Sequence, residues 1–261
     1  MNAPFANSCP ALVELDNVLL RFGEKTVLDG LSLQVGKGER LVILGQSGSG
    51  KSTILRLLLG ILQPTSGRVR FKGVDLEIMG RRKLNRMRQK IGMVYQYSAL
   101  ISSLSIRDNL ALPLEELTGR PRAEIDELVR QKLELVGLPD TMEQMPAELS
   151  GGMRKRVALA RGIILDPELV LFDEPTAGLD PVASGGVDEL IIDLTKKTGA
   201  TSIIVTHEME SAFKIATRMA MLFEGRIIAD DTPERFREHE NPVVAQFVSG
   251  STEGPLLEVS R

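Results

Sequence analysis

Positions 45–53 read GQSGSGKST, a run in which each residue type suits the handling of phosphate. Gly45, Gly48 and Gly50 free the backbone to curl, so that successive N–H groups can point at phosphate oxygens. Gln46, Ser47 and Ser49 fill the loop between them. Lys51 is spaced to reach the β- and γ-phosphates of a nucleotide, Ser52 to hold Mg²⁺, and Thr53 closes the motif. A Gly/Ser turn that matches by chance is the competing reading. The apolar run before the loop and the helical pattern after it are the context that the phosphate reading requires.

A carboxylate pair follows the apolar run of "LVLFDEP" at 169–175. Asp173 emerges where a buried strand ends, the edge at which α/β sheets bind ligands, and suits Mg²⁺ through water. Glu174 is a candidate general base for the attacking water. An exposed carboxylate at a strand end is the plainer alternative, but the place beside Asp173 and before Pro175 favours the base. His207 ends "TSIIVTH" in the same manner. A lone histidine there is more often structural; as a functional group it would bond a γ-phosphate or orient Glu174. The other histidine, His239, reads as surface. Gln96, after "GMVY", is placed to sense Mg²⁺ and the attacking water. Ser150 is a good N-cap, yet Gly151 and Gly152, poor helix formers, follow where a helix should begin. A helix start is an anion site, and two missing side chains suggest that the anion comes very close.

The elements that must carry these residues alternate in type. "VLLRFG" and "LDGLSLQVG" read as half-buried strands, and "RLVILG" as a strand covered on both faces. A helix is expected from Lys51 through Leu62, then a strand at "SGRVRFKG". "RRKLNRMRQK", 81–90, holds six basic side chains but no interleaved aromatics, and reads as a solvated helix face rather than a nucleic-acid patch. "IGMVYQ" is a strand, and 105–165 reads as several helices. In "RAEIDELVRQKLELVGL" residues Ile125, Leu128, Val129, Leu133 and Val136 share a face. The βα rhythm then resumes with "LVLFD", a helix over 181–197, "ATSIIVTH" and a hairpin around Glu224-Gly225. The expectation is an α/β core interrupted by a helical insertion at about 97–165, one domain over 1–250, and a tail at 251–261.

The whole composition agrees with such a core. The 261 residues are 43% hydrophobic and 26% charged, with a net charge of −3 that gives no reason to expect nucleic acid. Cys9 is the single cysteine, so an internal disulfide is excluded and a reducing compartment fits. No stretch approaches ~18 uncharged apolar residues, and the first residues lack the basic and apolar pattern of a secretion signal. The expectation is a soluble, cytoplasmic protein, with a membrane partner left open.

Taken in order, "RFG" with Phe22, "GQSGSGKST", Gln96, "LSGGM", "LFDE", "AGLD" and His207 resemble the ATP-binding subunits of ABC transporters, over about residues 11–230. The resemblance implies a P-loop NTPase core of ABC type, with an antiparallel β subdomain and a helical subdomain that carries the LSGG signature. It implies ATP and Mg²⁺ as cofactors, with Phe22 stacking on adenine. It also implies a head-to-tail homodimer, in which Ser150, Gly151 and Gly152 cap the γ-phosphate held by Lys51 of the partner subunit, and Asp180 couples the two sites. Three further stretches, "LSGGMRKRVALAR", "YSALISSLSIRDNLALPL" and "NPVVAQFVSGSTEGPL", are similar to the MlaF-like ATPases of MCE/Mla lipid-transport systems.

That branch implies phospholipid movement between the inner and outer membranes of a Gram-negative bacterium, from the cytoplasmic face of the inner membrane. Its implied partners are transmembrane permease subunits, a small STAS-domain protein and an MCE substrate-binding protein, with no nucleic acid. An ATPase for another importer, of amino acids or metals, has the same motor residues and stays open. A soluble ABC protein of ribosomes or DNA usually carries two ATPase domains or long coiled coils. Here one phosphate loop occurs, and Lys51 and Ser150 are 99 positions apart. A P-loop kinase leaves "LSGGM" and His207 unexplained. In the tail, Leu256, Leu257 and Val259 are expected to dock on the second subunit or the accessory protein, against the default of a frayed end.

Overall fold

The computed structural model describes residues 11–258, so Cys9 and Val259, like the Leu257 side chain, lie outside the described residues. In chain order the first elements are β1 (Val13–Phe22), β2 (Lys25–Val35), β3 (Arg40–Leu44), α1 (Lys51–Leu58), β4 (Ser66–Phe71), β5 (Val74–Asp75) and α2 (Arg81–Arg88). Next come β6 (Ile91–Val94), α3 (Ile106–Thr118), α4 (Arg122–Leu135), α5 (Gly151–Gly162), β7 (Leu169–Asp173) and α6 (Pro181–Thr198). The last group is β8 (Thr201–Thr206), α7 (Met209–Ile215), β9 (Arg218–Phe223), β10 (Arg226–Asp231), α8 (Pro233–Arg237), α9 (Pro242–Ser249) and α10 (Pro255–Glu258). The elements fall into two compact units, residues 1–84 with 203–261, and residues 85–202. Among the described residues no helix is long and apolar enough to cross a membrane.

The first unit holds an antiparallel sheet in the order β2-β1-β4-β5 and the strands β10-β9-β3-β8. Leu41, Val42, Ile43 and Leu44 of β3 are fully buried, as the uninterrupted apolar run implies for a strand covered on both faces. β3 runs parallel to β9, and β9 turns into antiparallel β10 through Glu224 and Gly225, both at positive φ. The buried Arg218 joins the two sheets of this unit. Its guanidinium grips Asp230 through two bonds of 2.6 Å, Glu39 at 3.2 Å and the Gln34 carbonyl at 2.8 Å. Burial opposes that charge, but the bonds to Asp230 and Glu39 outweigh it and hold the proton more tightly than usual. α1 stops at Leu58, short of the expected Leu62, because the chain leaves the helix at Leu59 and turns at Gly60.

In the second unit β6 and β7 run parallel, with Val94 beside Phe172, so both strands release their next residues at one edge. The helices follow their sequence signals. Ser105 caps α3 by accepting from the Asp108 N–H, and Ile125, Val129 and Leu133 form the buried stripe of α4, with Leu128 half-buried. Arg107 ties α3 to α4 through Asp126 at 2.7 Å and bonds Glu115 of its own helix at 2.9 Å. α5 packs between β6 and α6, burying Val157, Ala158, Leu159 and Ala160.

Candidate nucleotide site

The phosphate loop leaves the rigid stem of β3. Gly48 and Gly50 take φ of 79° and 104°, which a side chain resists. A Cβ on Gly45 would lie 2.5 Å from the Leu222 carbonyl oxygen and 2.8 Å from Ser49 Oγ, so glycine is obligatory there too. Gln46 receives the Ser49 N–H on its carbonyl at 3.1 Å, closing the turn around Ser47. Ser49 Oγ is buried without a hydrogen-bond partner among the described residues, an orphan that a phosphate oxygen would satisfy. Lys51 is buried and folded inward, its Nζ donating to the Gly45 carbonyl at 2.7 Å and the Gln46 carbonyl at 3.0 Å. α1 begins at Lys51 with no capping side chain and no acid in its first turn, which leaves its positive end to an anion. Ser52 and Thr53 lie in that first turn. The loop therefore fits a nucleotide's phosphates. In the same unit Phe22 ends β1 at 52% exposure and so is no core residue, while His207 is exposed just beyond β8.

The second unit brings Gln96, Asp173 and Glu174 to one edge, where β6 and β7 end side by side. Glu174 is buried and left-handed, with φ 49°, a conformation that costs a non-glycine residue ~1–3 kcal/mol. Its carbonyl accepts from the Ala177 N–H at 3.3 Å and from Lys155 Nζ at 3.4 Å. The same Nζ donates to the Gln96 carbonyl. Two residues further, Ser98 and Ala99 are also left-handed, with φ of 61° and 50°. Arg161 holds both carbonyls, at 2.8 Å and 2.7 Å. Among the described residues no three His, Cys, Asp or Glu side chains gather as a metal cage. A single carboxylate such as Asp173 suits Mg²⁺, which keeps most of its waters and takes oxygens from its substrate.

Ser150 caps α5 as its sequence implies, its Oγ accepting from the Met153 N–H at 3.3 Å. Gly151 and Gly152 have no local need to be glycine: neither has a positive φ. A Cβ on Gly151 would lie 3.7 Å from Leu179, and one on Gly152 3.8 Å from Ala183, both ordinary contacts. Ser150 and Gly151 are exposed. Asp180 lies nearby at the start of α6, where its Oδ1 accepts from the Val182 and Ala183 N–H groups at 3.0 Å each. Asp180 is thus a helix cap in its own chain.

Comparison with known proteins settles the family. A family model described as ABC transporter matches residues 28–177. Over 245 residues the chain is 40% identical to the intermembrane phospholipid transport system ATP-binding protein MlaF of Haemophilus influenzae, covering 94% of this chain and 93% of that one. The chain belongs to the ABC transporter family. It is also 40% identical over 273 residues to the protein TRIGALACTOSYLDIACYLGLYCEROL 3, chloroplastic, of Arabidopsis thaliana, covering 96% and 77% of the two chains. Among solved structures, the dimeric post-hydrolysis state of the ATP-binding cassette MJ0796, bound to ADP and Pi, matches with a TM-score of 0.77 and 30% identity over 85% of this chain and 98% of that one.

This ABC ATPase has the α/β core, antiparallel β subdomain and helical subdomain of its family. Its sequence motifs point to the glycines, lysine and carboxylates of the site, but not to Lys155 and Arg161. The one signal is a basic run, Arg154, Lys155 and Arg156, in a helix whose buried face is apolar apart from Lys155. Nothing in the spacing names their partners, because these are main-chain carbonyls far away in sequence.

Proposed function

We propose that this ABC ATPase is the motor of a transporter that moves phospholipid between the two membranes of a Gram-negative envelope. The support is near-full-length similarity to a protein named for intermembrane phospholipid transport. In this reading the chain sits on the cytoplasmic face of the inner membrane and acts on permease subunits. The exposed Tyr95, Tyr97 and Ile101 offer the permease an apolar contact, and Tyr95 also lines a cleft of about 240 Å³ together with Pro113 and Arg161. A STAS-domain protein and an MCE substrate-binding protein complete the assembly.

Each residue then has a role. The N–H groups of 45–53 and Lys51 bind the phosphates, and Phe22 stacks on adenine. Ser52, Asp173 and Gln96 would hold Mg²⁺, which supplies charge neutralisation at the transferred phosphoryl group. Glu174 takes the proton of the attacking water, and His207 bonds the γ-phosphate or keeps Glu174 oriented. Ser150, Gly151 and Gly152 cap the γ-phosphate bound by the partner subunit's Lys51, and Asp180 lies at that seam. The observation that carries this reading is the pair Gly151 and Gly152, small without any local reason in their own chain. The test is purification from detergent extracts followed by reconstitution with the attached permease. ATP-dependent phospholipid transfer between vesicles, abolished in Glu174→Gln, is expected. Attachment to a permease that moves amino acids or metals instead would overturn the lipid assignment.

A further inference from the structure

Lys155 is 6% exposed, on a helix whose other buried residues, Val157, Ala158, Leu159 and Ala160, are all apolar. Burying an ammonium is costly unless its protons are taken up, so this one owes its place to its bonds. It donates to the Gln96 carbonyl and, at 3.4 Å, to the Glu174 carbonyl. Those two carbonyls belong to separate loops, one after β6 and one after β7. The cation itself lies three residues beyond Gly152, on the helix that Ser150 caps.

We infer that Lys155 is a positioning residue for ATP hydrolysis: its ammonium clamps the main chain of Gln96 and of Glu174 to the helix of the signature turn. The inference rests on the roles given above to Gln96, Glu174 and the signature. Its consequence is mechanical. A γ-phosphate that draws the start of α5 toward it also sets the backbone of the base and of the Mg²⁺-sensing amide. An open α5 leaves both out of register. At Glu174 the clamp joins the Ala177 N–H on one carbonyl and so helps to hold a left-handed backbone in place. Arg161, six residues on, continues the grip by holding the Ser98 and Ala99 carbonyls of the same loop.

The test compares Lys155→Met, Lys155→Arg and Glu174→Gln in the full chain, by steady-state hydrolysis with ATP varied, below the melting temperature of every variant. Lys155→Met keeps the stem and removes the donors. Misplacing reacting groups by about 1 Å costs on the order of 10²-fold, so kcat should fall by ~10- to 100-fold while KM stays within about twofold. Lys155→Arg, whose fork can reach both carbonyls, should recover kcat to within a few fold. Parental kcat in Lys155→Met, a raised KM at unchanged kcat, or equal impairment in Lys155→Arg would each overturn the clamp. Should Lys155→Met fail to fold, Lys155→Leu, which likewise removes the donors, is judged by the same kcat criterion. Glu174→Gln separates the two layers of the argument. If it turns over ATP at the parental rate, the base assignment fails and the clamp with it; if it stalls while Lys155→Met runs normally, the clamp alone fails.

Discussion

In the proposed function Lys51 binds the phosphates and Glu174 is the base, so their variants should separate. Lys51→Ala removes the cation whose Nζ lies against the loop carbonyls of Gly45 and Gln46, and so takes away ground-state binding as well as turnover. ATP affinity and kcat should both fall, by ~10²-fold or more in kcat/KM. Glu174→Gln keeps the shape and loses the base. Nucleotide binding should survive, turnover should drop by ~10²–10⁴-fold, and a closed ATP-bound dimer should accumulate in gel filtration. Parental turnover in either variant would remove that residue from its role. The places of both residues were legible in the sequence, Lys51 at the start of α1 and Glu174 just beyond β7, because a glycine-rich loop precedes the one and a buried strand announces its end before the other. Asp180 was legible only in part: "AGLD" suggests a seam residue, while the two N–H groups it caps become visible only in the fold. Lys155 was not legible at all in this sense, since a carbonyl partner leaves no mark in residue type.

Among the elements, the start of α5 sets function against stability. Glycine in the first turn of a helix costs about 1 kcal/mol relative to alanine. The added Cβ would find ordinary contacts at 3.7 Å for Gly151 and 3.8 Å for Gly152. Gly151→Ala and Gly152→Ala should therefore leave unfolding free energy unchanged or raise it by ~0.5–1 kcal/mol, as read in denaturant titration. The same variants should lose most ATP turnover, because in the proposed head-to-tail dimer the new methyl lies where the phosphate of the opposite site approaches. A destabilised protein with normal turnover would show that the glycines serve packing after all. Elements were the most legible level. Ser105, Ser150, Thr232 and Asn241 cap helices as their types imply, and Glu224-Gly225 makes its hairpin. The end of α1 was misjudged at Leu62 because apolar periodicity continues past Leu58, while Gly60 turns the chain.

At the scale of the whole molecule the tail and the dimer remain to be tested. The described part of the tail folds back on its own chain: Leu256 is buried, its N–H donates to Gln246 Oε1 at 2.8 Å, and Gln246 Nε2 donates to the Ser251 carbonyl at 3.1 Å. That is neither a frayed end nor a segment given wholly to another subunit. The side-chain bond of Gln246 to a residue ten positions on is what composition could not reveal. Cutting the chain after Gly250 should then cost about 2 kcal/mol of monomer stability, the worth of one buried leucine, with ATP affinity unchanged. An unaltered denaturation midpoint would return the tail to the frayed reading. The dimer is tested by two tandem fusions of full chains. One carries Lys51→Ala in the first half and Ser150→Arg in the second; the other carries both changes in one half. If the signature acts on the opposite phosphate loop, the first fusion keeps one site with an intact lysine facing an intact signature, and the second fusion spoils both sites. Hydrolysis should therefore survive in the first and vanish in the second. The reverse pattern means that Ser150 serves its own chain's phosphate, and the head-to-tail dimer is then wrong.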